Sequence, residues 1–278
     1  MRAAAMKNTR TLGKYALVAG MSLLSLIPFY ILLYLALNKP SRTLFNGLSL
    51  LPDFNFSNFS EAWESSRMGL ATVNSLIITI GGAILIILAA SSAGYAIVRY
   101  SNKFHQSVFN LLLICMMIPA IIITVPLYTL MKSIGGINTH WAMILLMASN
   151  GIPFSVFLYA GFIKVLPREI EESAIIDGCT PFTAFWRVTF HFLRPVTAAV
   201  VILQGLAIWN NYGQAVFFLQ GQDMRTIPLA VSMFFQQYGA QWNLMAAAAV
   251  IGLAPAVVAF LVFQKYFVKG ITAGAVKG

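Results

Sequence analysis

The chain has 278 residues, is 59% hydrophobic and only 9% charged, and carries a net charge of +10, with a mean hydropathy of +0.79. A soluble domain of this length would carry about 25% charged residues, so a water-soluble globular protein is excluded. With so few charges, the basic excess reads as membrane topology rather than as nucleic-acid binding.

Residues 1–14 carry Arg2, Lys7, Arg10 and Lys14 and no acid, and residues 15–37 follow as an uncharged, mostly apolar run. That run exceeds a signal-peptide core of about 7–15 residues and lacks an A-x-A-like site at its end. It is expected to be a retained first span with its N-terminus in the cytoplasm. Pro28 inside it is tolerable in a membrane helix. Residues 38–69 are polar, with Pro40, Pro52, Asp53, Glu61, Glu64 and Arg67, and read as an external loop with a short amphipathic helix around Phe59–Trp63. Asn55-Phe56-Ser57 and Asn58-Phe59-Ser60 fit the glycosylation triplet, a short pattern that recurs by chance.

Five further uncharged stretches follow at about 70–98, 107–131, 141–163, 196–219 and 243–263. Each reaches the roughly 20 residues that a membrane helix needs. The expected fold class is therefore an all-α membrane protein with six transmembrane helices. Segments 1–14, 99–106, 164–195 and 264–278 hold 13 of the 18 Lys and Arg, and 38–69, 132–140 and 220–242 hold the other 5. That asymmetry puts both termini and the 164–195 loop in the cytoplasm. The domain organisation expected is an N-terminal tail, first span and external loop over 1–69, a five-helix core over 70–263 and a cytoplasmic tail over 264–278.

None of the six stretches contains Asp, Glu, Lys, Arg or His. Ion-coupled carriers usually bury ionisable groups along their pathway, and the chain has no GxxxxGK[ST]. Energy for transport is expected from a separate ATPase, with this chain non-catalytic and free of cofactors. Cys115 and Cys179 do not make a disulfide framework and read as small buried or half-buried side chains. Cys115-Met116-Met117 reads as packing, and His105, His140 and His191 lie too far apart in sequence to suggest a metal site.

Residues 164–195 hold eight of the 26 charges, including Glu169, Glu171, Glu172 and Asp177, half of all the acids. At about 2.5–3.5 kcal/mol per charge at mid-bilayer, eight would cost about 20 kcal/mol, so this stretch lies outside the hydrocarbon. Its grammar is helical. Pro167 suits a first helical position, residues 168–177 read as a short helix with Arg168 and Glu172 at i,i+4, and Gly178 fits a left-handed C-terminal position. Thr180-Pro181 is a second start signal. Phe182, Phe185, Trp186, Thr189 and Phe190 then line one face of a second helix. The result is a two-helix knob on the membrane surface.

This stretch resembles the EAA loop of ABC importer permeases of the carbohydrate-uptake, maltose-permease-like type. The family pattern is Glu-Ala-Ala, three residues, Gly, nine residues, then Ile-x-Leu-Pro. Glu172-Ser173-Ala174 stands for the first part, Gly178 falls at the expected spacing, and Val188, Phe190 and His191 replace the closing Ile, Leu and Pro. A histidine there leaves the second helix free to run on towards Pro195.

Polar residues inside the spans generally face partners or a water-filled cavity. They are Asn74-Ser75, the Asn150-Gly151-Ile152-Pro153 interruption of the fourth stretch, and Gln204, Trp209-Asn210-Asn211-Tyr212 and Gln214 in the fifth. Rings cover the C–H faces of sugars and amides bond their hydroxyls, so Trp209, Asn210, Asn211, Tyr212 and Asn150 are the candidate substrate-pathway residues. The alternative for the 209–214 cluster is interhelical glue or an interfacial aromatic belt, and for Asn150 with Gly151 and Pro153 it is a helix kink with satisfied backbone. The 209–212 segment resembles the family's Trp-Asn-Glu-Phe, with Asn211 in place of the acid.

SSAGYAIVRY, MRTIPLAVSMF and the YFVKGITAGAVKG tail extend the likeness over residues 70–278. The resemblance implies a type I importer (MetI-like) fold and one permease subunit of a bacterial ABC importer in the cytoplasmic (inner) membrane. It implies a second, homologous permease, two ATP-binding cassette ATPase subunits and an extracytoplasmic solute-binding protein as partners, with a sugar or related polar solute as cargo. It assigns ATPase coupling to Glu172, Ser173, Ala174, Asp177, Gly178, Phe182, Phe185 and Trp186, and a tail contact to Lys269, Gly270 and Gly274. The competing classes are a self-sufficient carrier or channel and a membrane docking or assembly protein.

Overall fold

The computed structural model describes residues 2–39, 51–100, 102–236 and 239–275, with side chains over 14–15, 17–39, 51–100, 102–235 and 241–262. The described residues are overwhelmingly helical, as an apolar chain in lipid must be when it satisfies its own backbone polar groups. Among the described residues four helices are long and apolar enough to cross a bilayer: α1 (Arg2–Ala36), α3 (Met68–Arg99), α6 (His140–Ile163) and α12 (Trp242–Ala275). Two bent pairs bring the number of spans to six if each counts as one. They are α4 (Lys103–Met116) with α5 (Ala120–Ser133), bent by 102°, and α8 (Pro181–Phe192) with α9 (Arg194–Trp209), bent by 76°.

Shorter elements join them. These are α2 (Ser57–Ser65), α7 (Glu169–Ile176), α10 (Ala215–Phe218), a 3₁₀ turn at Gln222–Met224, α11 (Ile227–Ser232), and a two-residue antiparallel ladder of β1 (Phe235–Gln236) with β2 (Gly239–Ala240). The described residues pack as two units, those up to Met68 with those of Val231–Leu253, and those of Gly69–Ala230 with those from Ala254 onward.

Several sequence expectations change at this level. The 107–131 stretch is broken at 117–119, where Pro119 is extended (φ −61°, ψ 128°) and starts α5. The 196–219 stretch is helical only to Trp209, and Asn210–Gln214 intervene before α10. Asn150–Pro153 does not interrupt α6, which runs through Pro153. Cys115 is exposed rather than buried, Cys179 is half-buried, and both are free thiols.

In the first unit Asn58 of α2 is buried and central. Its Nδ2 donates to the carbonyls of Ala36 and Asn38, each at 2.8 Å, and its Oδ1 accepts from Asn243 Nδ2 at 2.9 Å. The end of α1, α2 and the start of α12 are thereby fastened through one amide.

In the second unit α6 is the most enclosed span, with Met143, Leu146, Val156, Tyr159 and Ile163 in the core. Gly94 of α3 meets it closely. A Cβ at residue 94 would lie 2.9 Å from Tyr159 Cβ and 3.2 Å from the Ala160 backbone nitrogen. At the opposite end of α3 from Arg99, Asn74 donates to the carbonyls of Asp223 (2.8 Å) and Arg225 (3.0 Å) and faces His140 Nε2 (2.8 Å). Ser75 Oγ accepts from the Ile227 N–H at 2.9 Å. The in-span Asn74-Ser75 pair thus holds the 221–227 segment against α3 and α6.

Candidate functional site

The 164–195 stretch forms the expected knob. α7 ends in a left-handed residue, Gly178, at φ +90°. Gly178 N–H bonds the Ile175 carbonyl and Cys179 N–H that of Ala174, each at 3.0 Å, which is the paired closure of a glycine-terminated helix. Thr180 caps α8, its hydroxyl accepting from the Thr183 N–H at 3.3 Å, and Pro181 takes a first-turn position. A π turn over Phe185–Thr189 widens the spacing within α8, and the helix continues through His191 to Phe192 before Leu193 bends the chain into α9.

The inner side of the knob is fixed by a group that sequence reasoning passed over. Glu171 is buried. Arg99 Nε donates to its two carboxylate oxygens at 2.9 and 3.0 Å, Arg99 Nη2 lies 2.8 Å from Oε1, and the Tyr95 hydroxyl donates at 3.1 Å. Arg99 Nη2 also donates to the Leu166 carbonyl at 3.3 Å. The Tyr95 ring lies 4.7 Å from Phe185, tilted by 42°, and Phe185 meets Trp186 edge to face at 4.8 Å. The last turn of α3 therefore grips the chain on both sides of α7.

The proposed coupling residues divide accordingly. Ala174 and Phe185 are buried and Trp186 is half-buried, while Glu172, Ser173, Asp177, Gly178 and Phe182 are exposed. Phe182 is 72% exposed, so it does not share the inward face of Phe185, Thr189 and Phe190. Ile176, which sequence reasoning did not single out, is 85% exposed beside Asp177. Arg168 and Glu172 are not within ion-pair distance, and their link is the backbone bond from Glu172 N–H to the Arg168 carbonyl, 3.1 Å.

The second group of candidates gathers around α6 and the end of α9. Asn150 Nδ2 donates to Gln214 Oε1 at 2.7 Å. Gln214 is only 5% exposed, yet its Nε2 has no hydrogen-bond partner among the described residues. Gln204 packs against the next residue of α6, where a Cβ on Gly151 would lie 2.7 Å from its Oε1. Asn211 Oδ1 accepts from the Gln214 and Ala215 N–H groups at 3.2 and 3.3 Å and so caps α10. Asn210 is exposed, its Nδ2 on the Leu206 carbonyl at 3.0 Å, and Tyr212 is exposed. Trp209 is buried and lines a different space, an apolar cavity of about 220 Å³ with Thr79, Gly205 and Phe260. The structure brings Asn150 to Gln214, which the spacing alone did not pair.

Lys269, Gly270 and Gly274 fall on the backbone of α12, and their side chains lie outside the described residues. Among the described residues no three His, Cys, Asp or Glu side chains converge as a metal site.

Residues 82–273 match the model of the family described as binding-protein-dependent transport system inner membrane component. The chain belongs to this family. It is 39% identical over 280 residues to the melibiose/raffinose/stachyose import permease protein MelC of Bacillus subtilis strain 168, with 100% of both chains covered. It is 33% identical to the arabinooligosaccharides transport system permease protein AraQ of Halalkalibacterium halodurans, covering 98% of this chain and 99% of the relative. A bacterial ABC transporter involved in the import of the acidic polysaccharide alginate shares the fold, with a TM-score of 0.79 at 17% identity, covering 92% of this chain and 95% of that one. This permease is therefore a multi-pass ABC importer subunit with the MetI-like helical fold.

Proposed function

We propose that this permease forms half of the pathway for an oligosaccharide in the bacterial cytoplasmic (inner) membrane, with both termini and the α7–α8 knob in the cytoplasm. A second, homologous permease completes the pathway, an extracytoplasmic solute-binding protein delivers the sugar, and two ATPase subunits hydrolyse ATP. The observation that carries this reading is the two-sided knob. Its inner side is held to α3 through Glu171 and Arg99, while Glu172, Ile176 and Phe182 are presented outward. A rigid element outside the hydrocarbon, acidic and apolar at once, suits a groove on an ATPase. Its displacement on ATP binding would be passed to α3 and α6. The C-terminal tail with Lys269, Gly270 and Gly274 adds a second ATPase contact.

Sugar as cargo is supported by MelC and AraQ, whose names specify oligosaccharides, and by the exposed Asn150 amide that Gln214 holds. A hydroxyl donates and accepts at once, so a sugar hydroxyl can donate to the carbonyl oxygen of the exposed Asn150, while the buried Gln214 holds the Asn150 amide in place.

The test is uptake of labelled raffinose by the assembled importer in proteoliposomes, with ATP hydrolysis followed in parallel. Glu172→Ala and Ile176→Asp are expected to release the ATPase or abolish solute-dependent hydrolysis. Retained ATPase with coupled hydrolysis in both variants would remove the knob from the mechanism, and uptake by the purified chain alone would indicate a self-sufficient carrier.

A further inference from the structure

A second cavity lies where α3 and α6 end and α4 begins. It has a volume of about 430 Å³, and Arg99, Lys164, Arg168 and Gln106 line it together with Val98 and Phe109. Its charges are unequal. Arg99 is neutralised by Glu171 at 2.8 Å. Lys164 and Arg168 are exposed, and neither has a carboxylate within ion-pair distance among the described residues. Lys164 Nζ is 5.9 Å from the centre of the Phe109 ring, which places its charge against an apolar wall. The cavity thus joins two unpaired cations and an amide to a hydrocarbon surface, at the level where two membrane helices stop.

We infer that this cavity binds a phosphate group. The source its half-apolar wall favours is the headgroup of an acidic phospholipid, whose phosphodiester meets Lys164 and Arg168 while its chains leave along the apolar spans. Basic pockets at helix ends accept such headgroups because each cation gains both from the anion and from the surrounding anionic surface. A soluble phosphate ester offers the same anion without the chains. The inference needs only that the chain spans a membrane, and it stands or falls separately from the cargo and from the ATPase contact. Basic residues at the end of α6 also offset the negative end of that helix. That role alone predicts lost stability without lipid dependence.

The experiment uses the assembled importer in detergent, titrated with phosphatidylglycerol or phosphatidylcholine, with retained lipids counted by native mass spectrometry. The Lys164→Gln/Arg168→Gln variant is expected to hold one fewer phosphatidylglycerol per chain, with binding weakened about tenfold or more for two lost cations, and to bind phosphatidylcholine as the wild type does. Lys164→Arg/Arg168→Lys is expected to keep the lipid, which separates charge from any effect on folding. Inorganic phosphate at millimolar concentration distinguishes the sources. If it leaves the lipid in place the headgroup is the ligand, and if it displaces the lipid the pocket also takes a soluble phosphate. Equal phosphatidylglycerol binding by wild type and the double Gln variant overturns the inference.

Discussion

Glu171 and Arg99 form a two-point ion pair at 2.8–3.0 Å, with side chains only 9% and 8% exposed. Desolvation of both groups makes the pair a modest net contributor, but removing one partner strands the other charge, a loss of about 3–5 kcal/mol. Arg99→Met is therefore expected to lower the melting temperature of the purified complex sharply. Arg99→Met with Glu171→Leu should recover much of that loss, because no charge is then stranded. A double variant no more stable than Arg99→Met would show that the pair is not the inner anchor of the knob.

The same pair marks the limit of sequence reading. Glu169, Glu171 and Glu172 all lie in the first turn of α7, and which of them turns inward depends on Arg99, 72 residues earlier in the chain. No local pattern carries that information, so Glu172 stood out through its motif position while Glu171 did not. The long apolar helices were legible because hydrophobic length alone sets them. The breaks at 117–119 and 210–214 were masked by the same hydrophobicity, although Pro119 and Asn210-Asn211-Tyr212-Gly213 are turn-compatible residues. The Asn150–Gln214 pairing spans 64 positions and likewise needs the fold. Gly178 was readable because a left-handed helix end is a local requirement.

Gly178 tests that local requirement. At φ +90° a Cβ there meets nothing within 4 Å, so a substitution is opposed by backbone conformation rather than by a clash. Gly178→Ala is expected to destabilise the knob by about 1–2 kcal/mol, and Gly178→Asn by less because Asn tolerates left-handed backbone. Solute-dependent ATP hydrolysis should follow the order Gly, Asn, Ala. An Ala variant as well coupled as wild type would mean the turn can re-form by another route.

Gly94 presents the opposite case, a steric one. The missing Cβ would press on Tyr159 Cβ and on the α6 backbone at Ala160, neither of which can swing aside. Gly94→Ala is expected to cost about 1–3 kcal/mol through forced separation of α3 and α6. Gly161→Ala on α6, where a Cβ meets nothing within 4 Å, should be neutral or stabilising by about 0.5–1 kcal/mol. Thermal unfolding of the two variants side by side decides the matter, and equal melting temperatures would argue against the close crossing.

Asn58 is only 1% exposed, so the triplet it heads presents no accessible amide for glycosylation. Asn58→Ala would leave two carbonyls and Asn243 Nδ2 without their partner, at about 1–3 kcal/mol for each buried group left unsatisfied. Asn58→Asp should be worse, since a carboxylate would face the carbonyls of Ala36 and Asn38. Lower yield and melting temperature in that order are expected, and an Asp variant as stable as wild type would contradict the hydrogen-bond assignment.

Gln214 separates a cargo contact from a structural one. Its Nε2 is buried without a partner among the described residues, so Gln214→Leu removes an unsatisfied donor, and the amide it releases belongs to Asn150, which is exposed and can turn to water. Folding stability is therefore expected to change little. If Asn150, held by Gln214, receives a sugar hydroxyl, the variant loosens that contact and KM for sugar uptake rises about tenfold, in the range of one lost hydrogen bond. ATP hydrolysis in the absence of sugar should stay at the wild-type rate. A structural joint between α6 and the 210–214 segment predicts the reverse: a lower melting temperature, with uptake falling in proportion to folded protein and KM unchanged.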